Sequence, residues 1–392
     1  MTRAASVTVA LLLAVTATAS SQIPDVRGYY LNVGVLSREG PLSPESAQDF
    51  QRLRLMVSRP VGFVEIDLAY EQMLILRTER DPGALGGSLG QVAAAGDWLP
   101  LQRTLRDGEH VEWRHRVDRA ALSYRRRGVE LILGRQPISW ATTLFLTPAD
   151  PFAPFDPTDP FREYRAGVDA LRVRAFPGPF SELDGVVRVA EWSPRTSVTA
   201  LARGRAVVRG WDLGAWAGVL HDSGAAAVSM TFTAGGAAVR GEGVLRFGGE
   251  GTVLRATLGL DRSFDVWGRN LYVVVEYQRD GYGATGPGEL TAVALSGAYR
   301  RGELQVTGRD VAAAQASIEI HPLFSTDMLA LWDLNDRSVL AAPGLTVSAG
   351  DELTLRGGLF LGVGAGLDEL GVPGSAFGLV PTVGYVALTA FF

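Results

Sequence analysis

The feature that most limits the fold is a two-residue rhythm that returns along nearly the whole chain. Val64, Ile66, Leu68 and Tyr70 alternate with Glu65, Asp67 and Ala69. Leu254, Ala256, Leu258 and Leu260 alternate with Val253, Arg255, Thr257 and Gly259. Leu353, Leu355, Leu359 and Leu361 share one parity, and Glu352, Thr354 and Arg356 share the other. Successive side chains of a strand point to opposite faces, so this parity gives one apolar face and one charged face. A soluble sandwich would turn the charges outward to water, whereas a membrane barrel would turn them into its lumen. Hydrophobic residues make up 47% of the chain. Yet beyond residue 19 no apolar run approaches the roughly 20 residues that a spanning helix needs. Apolar surface must therefore be spread over alternating strands.

The two ends favour the membrane reading. Met1-Thr2-Arg3 is a short basic start, residues 7–15 are apolar, and Ala17-Thr18-Ala19 gives a small-x-small cleavage pattern. This reads as a secretory leader, residues 1–19, cut after Ala19. Residues 20–392 then form one barrel domain, with no linker and no plug domain expected. At the other end, counting back in twos from Phe392 gives Ala390, Leu388, Val386 and Gly384, a face without charge. Termini fray unless tied down, and a strand that closes a barrel is held on both edges. A last strand with Tyr385 and a terminal Phe392 resembles the signal by which bacterial outer-membrane barrels are recognised for insertion. That resemblance implies an outer-membrane location, reached with periplasmic chaperones and the barrel insertion machinery. The chain has no cysteine, which excludes disulfides, thiolate chemistry and a lipidated N-terminal cysteine. All 37 basic residues are arginines, so any positive charge in a lumen is permanent.

Twenty segments read as strands: 28–35, 50–58, 61–76, 111–125, 128–136, 167–176, 182–192, 198–208, 211–220, 225–234, 237–247, 251–261, 270–280, 289–300, 302–310, 314–321, 326–334, 339–349, 351–363 and 379–392. Some short ones merge, giving an all-β transmembrane antiparallel barrel of about 18 strands, within a range of 16–20. An even count leaves both termini in the periplasm. Tight turns at Arg59-Pro60, Arg126-Arg127-Gly128, Gly235-Gly236 and Ala349-Gly350 alternate with long connections at 36–49, 77–110, 137–166, 281–288 and 364–378. Short periplasmic turns and long external loops have this arrangement.

The third long loop, 137–166, is the most unusual stretch. Pro148, Pro151, Pro154, Pro157 and Pro160 recur every three residues and forbid strand pairing. Phe145, Phe152, Phe155, Phe161 and Tyr164 are too many aromatics for a loop in water, so the loop is expected to fold into the barrel and narrow it. Asp150, Asp156, Asp159 and Glu163 would then face Arg162, Arg165 and wall arginines across a constriction. Gly134-Arg135-Gln136-Pro137-Ile138-Ser139-Trp140, then Asp150-Pro151-Phe152, and then Gly167-Val168-Asp169-Ala170-Leu171-Arg172 resemble the third-loop region of predicted bacterial outer-membrane porins. Ala141 stands where those proteins have glycine. The resemblance implies passive passage of solutes and no cofactor. More distantly the layout is similar to outer-membrane exporters of acidic, alginate-type polysaccharide.

Arginine facing lipid costs about 2–4 kcal/mol at mid-bilayer, so strand charges are assigned to the lumen. The expected inward set is Arg52, Arg54, Arg114, Arg116, Arg135, Arg172, Arg174, Arg188, Arg203, Arg205, Arg240, Arg246, Arg255 and Arg356. Glu65, Asp67, Asp118, Glu130, Glu242 and Glu276 oppose them. Arginine in excess predicts a mild preference for small anionic solutes, and an arginine ladder would also suit a linear acidic polymer. An outer-membrane hydrolase would need a nucleophile and base on adjacent strands, and His110, His115, His221 and His321 supply no such pair, so no enzyme is expected. A non-conducting structural or adhesive barrel, Ca²⁺ held by Asp150, Asp156 and Asp159, and a homotrimer are left open by the sequence.

Overall fold

The computed structural model describes residues 26–79, 96–152, 156–161, 163–192, 195–248 and 251–392. Nineteen strands form among them. They are β1 (Arg27–Ser37), β2 (Ser46–Val61), β3 (Val64–Arg77), β4 (Gln102–Asp107), β5 (Val111–Arg126), β6 (Val129–Gln136), β7 (Val168–Gly178), β8 (Ser181–Trp192), β9 (Arg195–Val208) and β10 (Trp211–Leu220). Then follow β11 (Ser223–Ala234), β12 (Ala237–Gly248), β13 (Gly251–Val266), β14 (Arg269–Asp280), β15 (Asp310–His321), β16 (Phe324–Asp333), β17 (Val339–Ser348), β18 (Leu353–Val363) and β19 (Val383–Phe391). Eighteen of them close into one antiparallel ring, with β1 sealed to β19 by the Tyr29–Phe391 to Ser37–Val383 register. The expected barrel of about 18 strands is therefore what the chain builds.

β4 is the extra strand. β3 pairs directly with β5, while β4 lies on the other side of β5, opposite residues 112–116. β6 pairs only with residues 120–126 of β5, so β4 covers the edge that β6 leaves when it stops at Gln136. Two expected strands are absent. Residues 289–300 contain a turn of 3-10 helix and two short helices, α1 (Leu290–Ala294) and α2 (Gly297–Arg300), and residues 302–309 form loop. Leu290, Val293 and Ala298 recur at helical spacing and fill a small core of that loop.

The two ends of the barrel differ as the turn chemistry requires. At one end the connections are 62–63, 127–128, 179–180, 209–210, 235–236, 267–268, 322–323 and 349–352. Arg127-Gly128 and Trp267-Gly268 have positive φ at both central residues (51° and 78°, 55° and 73°), the hairpin geometry that matches strand twist. The long connections, including 78–110, 137–167, 281–309 and 364–382, all fall at the opposite end.

Outward positions are apolar and exposed around the ring. Leu254, Leu258 and Leu260 are 56%, 59% and 47% exposed, and Leu133, Leu171, Val187, Val228, Leu359 and Val386 continue the belt. Such a continuous apolar girdle fits lipid rather than water. Inward parity carries the charges, as Arg255, Thr257 and Asp261 show on β13, where all three are buried. On β5 a bulge shifts the register between its pairings with Ala69 and Tyr70. It turns Arg119 inward after Arg116 and Asp118, so Arg119 joins the lumen although simple alternation leaves it outside.

Candidate functional site

The chain leaves β6 at Gln136 and does not return to the wall until β7. Between them, residues 137–167 touch inward side chains from almost the whole circumference. Trp140 is buried. Its indole Nε1 donates to Asp184 on β8 at 2.8 Å, and its ring meets Phe152 edge-on at 5.0 Å and Trp216 of β10 at 6.2 Å. Farther along, Phe161 meets Tyr385 of β19 edge-on at 4.9 Å, and its carbonyl accepts from Arg52 of β2. Tyr164 stacks on Tyr29 of β1 at 6.0 Å and carries the Arg54 guanidinium over its ring at 4.7 Å.

The middle of this segment has no regular secondary structure, yet each of its backbone donors is satisfied. Glu242 on β12 accepts the N–H groups of Thr142, Thr143 (2.9 Å) and Ala149 (2.9 Å). Glu276 on β14 accepts those of Leu144 (2.5 Å), Phe145 (3.0 Å) and Leu146 (2.8 Å). Gln305 of the 281–309 loop accepts Thr147 N–H at 2.6 Å and donates to the Phe145 carbonyl at 2.6 Å. Pro148 has no N–H. Its carbonyl takes a bond from Arg255, that of Thr142 from Arg240, and that of Ala149 from the Trp216 indole at 2.9 Å. Hydrogen bonds to a charged partner contribute about 1.5–3 kcal/mol each, so two glutamates taking six of them fix the path of residues 142–149.

The same device recurs in the second loop. Asp169 on β7 accepts Trp98 and Leu99 N–H at 2.9 and 2.8 Å while pairing with Arg135 at 2.8 Å. Glu303 ties down the 281–309 loop through Arg246 at 3.2 Å and Arg301 at 2.7 Å. Burial pushes the Glu303 carboxyl up, but Arg246, Arg301 and Arg255 outweigh it and hold the group below the usual carboxylate range.

The expected wall arginines point inward, and most meet a carboxylate. Arg54 and Arg116 share Glu71 and Asp118, Arg135 lies 3.1 Å from Asp97, and Arg172 is 2.6 Å from Asp184. Arg174 bridges Glu130 and Glu182 at 2.9 Å each, Arg205 pairs with Asp212, and Arg240 pairs with Asp261 at 2.6 Å. Arg255 pairs with Asp280 at 2.8 Å, Arg356 with Asp327 at 3.0 Å, and Arg114 with Glu112 at 3.4 Å. Arg188 donates to the Gly96 carbonyl. Arg203 differs: it sits over the Trp140 ring at 5.8 Å and makes no ion pair or hydrogen bond among the described residues.

One loop carboxylate makes an expected pairing with a loop arginine, and two others close local turns. Asp150 is buried and pairs with Arg165 of the same loop, while Ser139 donates to it at 3.0 Å. Asp156 and Asp159 close their own turns, accepting Thr158 N–H at 2.8 Å and Phe161 N–H at 2.9 Å. Glu163 is exposed. Wall and loop are thus joined less by loop acids on wall arginines than by wall acids on loop backbone. The reason is geometric, because a chain without a strand partner must place its N–H groups somewhere. Phe155 and Arg162 lie outside the described residues, as does the leader. Among the described residues no cluster of three His, Asp or Glu side chains is placed to hold a metal ion. Phe392 is half exposed at the lipid edge, whereas Tyr385 faces inward, with its hydroxyl accepting from Arg356 at 3.2 Å.

Sequence reading named Glu242 and Glu276 only as acids opposing arginine. Their parity marked them as inward, but their partners lie about a hundred residues or more away in the chain and have no side-chain signal. Asp327 and Gln315 were not named. They line a cavity of about 330 Å³ between Phe145, Asp156 and Asp159 on one side and Asp327, Arg356 and Tyr385 on the other.

No protein-family model matches the chain, and no curated protein matches its sequence. Solved structures do match it by shape. OpdK, an outer-membrane protein of Pseudomonas aeruginosa solved with vanillate, is 12% identical, and a BenF-like porin from Pseudomonas fluorescens is 11% identical. Each alignment covers 94% of this chain and 98% of the other, with a TM-score of 0.53. The chain has the outer-membrane porin fold. Wzi, a carbohydrate-binding β-barrel of Escherichia coli involved in capsule assembly, aligns over 93% of this chain and 84% of its own, at 10% identity and a TM-score of 0.55. At these identities the likeness concerns the fold alone.

Proposed function

We propose that the protein is a porin-like channel of the outer membrane through which small hydrophilic solutes diffuse, with residues 137–167 narrowing the lumen. The observation that carries this reading is the anchoring of residues 142–149 to Glu242 and Glu276. It ties the loop to β12 and β14, and a cavity lined by both polar and apolar side chains lies beside it. Placement in the outer membrane would follow export by the 1–19 leader and insertion guided by the Phe392 end. A homotrimer is compatible with the lipid-facing belt and is not required by it.

A mild anion preference is part of the proposal, and its source is narrower than a count of arginines implies. Paired guanidinium and carboxylate groups cancel much of each other's field, so Arg203 beside Trp140, which makes no ion pair among the described residues, is a main source of positive field. The same pairing disfavours a track for an acidic polymer, which needs guanidiniums free to exchange partners. Single-channel recording of the purified barrel across a salt gradient tests both parts. Steady conductance with a reversal potential on the anion side supports them, and Arg203→Glu should move that potential toward cations more than Arg172→Glu does. A silent bilayer from a folded, heat-modifiable barrel would remove the diffusion reading in favour of a structural or gated barrel.

A further inference from the structure

We propose that the cavity between residues 156–160 and the β15–β19 wall is a binding site for an uncharged polyhydroxylated solute of sugar size. The inference rests on the channel reading and names the class of solute that the channel would select. The cavity holds about 330 Å³, at the lower end of the range of ligand pockets. Its lining mixes carboxylates, an amide and a guanidinium with the apolar surfaces of Phe145, Pro157 and Pro160. Hydroxyl groups both donate and accept, so a polyol can use every one of these groups while its C–H faces lie on the rings.

Charge balance separates this class from ions. Asp327 takes two bonds of 3.0 Å from Arg356, whose Nε is in turn accepted by Tyr385. Asp156 Oδ1 takes both the N–H and the hydroxyl of Thr158, at 2.8 and 2.6 Å. Asp159 takes Phe161 N–H at 2.9 Å. A free anion entering here meets three acids, while a free cation meets two guanidiniums that already face acids, Arg356 at Asp327 and Arg52 at Asp159. Spare carboxylate lone pairs remain for neutral donors. Gln315, which makes no hydrogen bond to another residue among those described, presents an amide with both polarities to the same space.

The wall makes room for this arrangement. A Cβ at Gly344 would stand 2.9 Å from Asp327 Oδ1 and 3.0 Å from Arg356 Nη2. Any larger residue there would have to displace the ion pair.

Planar-bilayer recording with neutral and charged probes of matched size tests the proposal. Glucose and maltose should interrupt the ion current in a concentration-dependent way, more strongly than gluconate or glucosamine. Gln315→Ala, which disturbs no existing hydrogen bond, should raise the half-blocking maltose concentration about tenfold, as should Asp327→Asn in a barrel shown to be heat-modifiable. Ion current that neither sugar interrupts would overturn the polyol site and leave the channel standing. Stronger block by glucosamine or by gluconate would assign the cavity to a charged solute and overturn it as well. If the barrel is silent, the channel reading fails. Titration calorimetry of maltose into the detergent-solubilised barrel then decides the site: binding that Gln315→Ala weakens sustains it, and absence of binding removes it.

Discussion

Residues 142–149 and 156–161 belong to one loop and solve the same problem in opposite ways. Both lack a strand partner, and both lie inside the ring. The first segment sends its backbone donors outward, to Glu242, Glu276 and Gln305. The second turns back on itself, with Asp156 and Asp159 capping residues two positions on. It reaches the wall through Phe161, at Tyr385 and Arg52. The first half is thus hydrogen-bonded to the wall along its length. The second half is shaped locally and faces the cavity. A channel needs both properties, a fixed partition and a surface that can meet solute without rebuilding the barrel.

The comparison breaks most completely if the outward anchors are removed. Glu242→Ala with Glu276→Ala removes the acceptors of six N–H groups, three of them in buried bonds where each loss costs about 1–3 kcal/mol. The expected outcome is release of residues 142–149 and a severalfold rise in single-channel conductance with added current noise. Conductance equal to wild type would show that the glutamates do not hold the partition. Next in size is Trp140→Ala. Loss of a buried indole costs about 3–5 kcal/mol, and Asp184 loses one of its two partners while keeping Arg172. Heat modifiability on a gel should shift to lower temperature, and a protease site should open in the loop before the barrel unfolds.

A smaller effect concerns the neighbouring 281–309 loop, which holds Gln305 against the first half. Glu303 has a depressed pKa in the fold, so its contribution is full above the ordinary carboxylate range. It is lost as pH falls through that range and through the lower folded value. Conductance noise should therefore rise on acidification below about pH 4, and Glu303→Gln should show that noise already at neutral pH. A Glu303→Gln trace as quiet as wild type would detach this loop from the partition.

What the sequence disclosed divides along the same line. Parity in Leu254–Leu260 and Val383–Phe391 is imposed by lipid on one side and water on the other, so the barrel and its strand count could be read directly. The inward loop could be read from its aromatics, because Phe152 and Phe161 need a wall. Residues 289–300 misled because a short apolar run carries too little periodicity to separate helix from strand, although Pro287 ahead of Leu290 marks a helix start. β4 was invisible because Gln102–Asp107 is exposed throughout and has no apolar face. The glutamate anchors were invisible for a deeper reason. A backbone N–H is the same at every residue, so no pattern in the sequence records which one a distant carboxylate will meet.

The smallest expected effect tests the self-shaped half. Asp159→Ala removes a turn-closing bond to Phe161 N–H and an electrostatic attraction to Arg52, at the edge of an open cavity where solvent can replace the bond. A hydrogen bond of this kind contributes about 0.5–1.5 kcal/mol, and water should return most of that. Barrel stability, measured by the temperature of the gel-mobility shift, should therefore stay close to wild type, in contrast to Trp140→Ala. The Phe161 ring is held separately by Tyr385 at 4.9 Å, so the segment should keep its place even while its carboxylate is gone. If Asp159→Ala instead destabilised the barrel as much as Trp140→Ala, the second half would be a structural strut like the first. The division of labour within the loop would then be wrong.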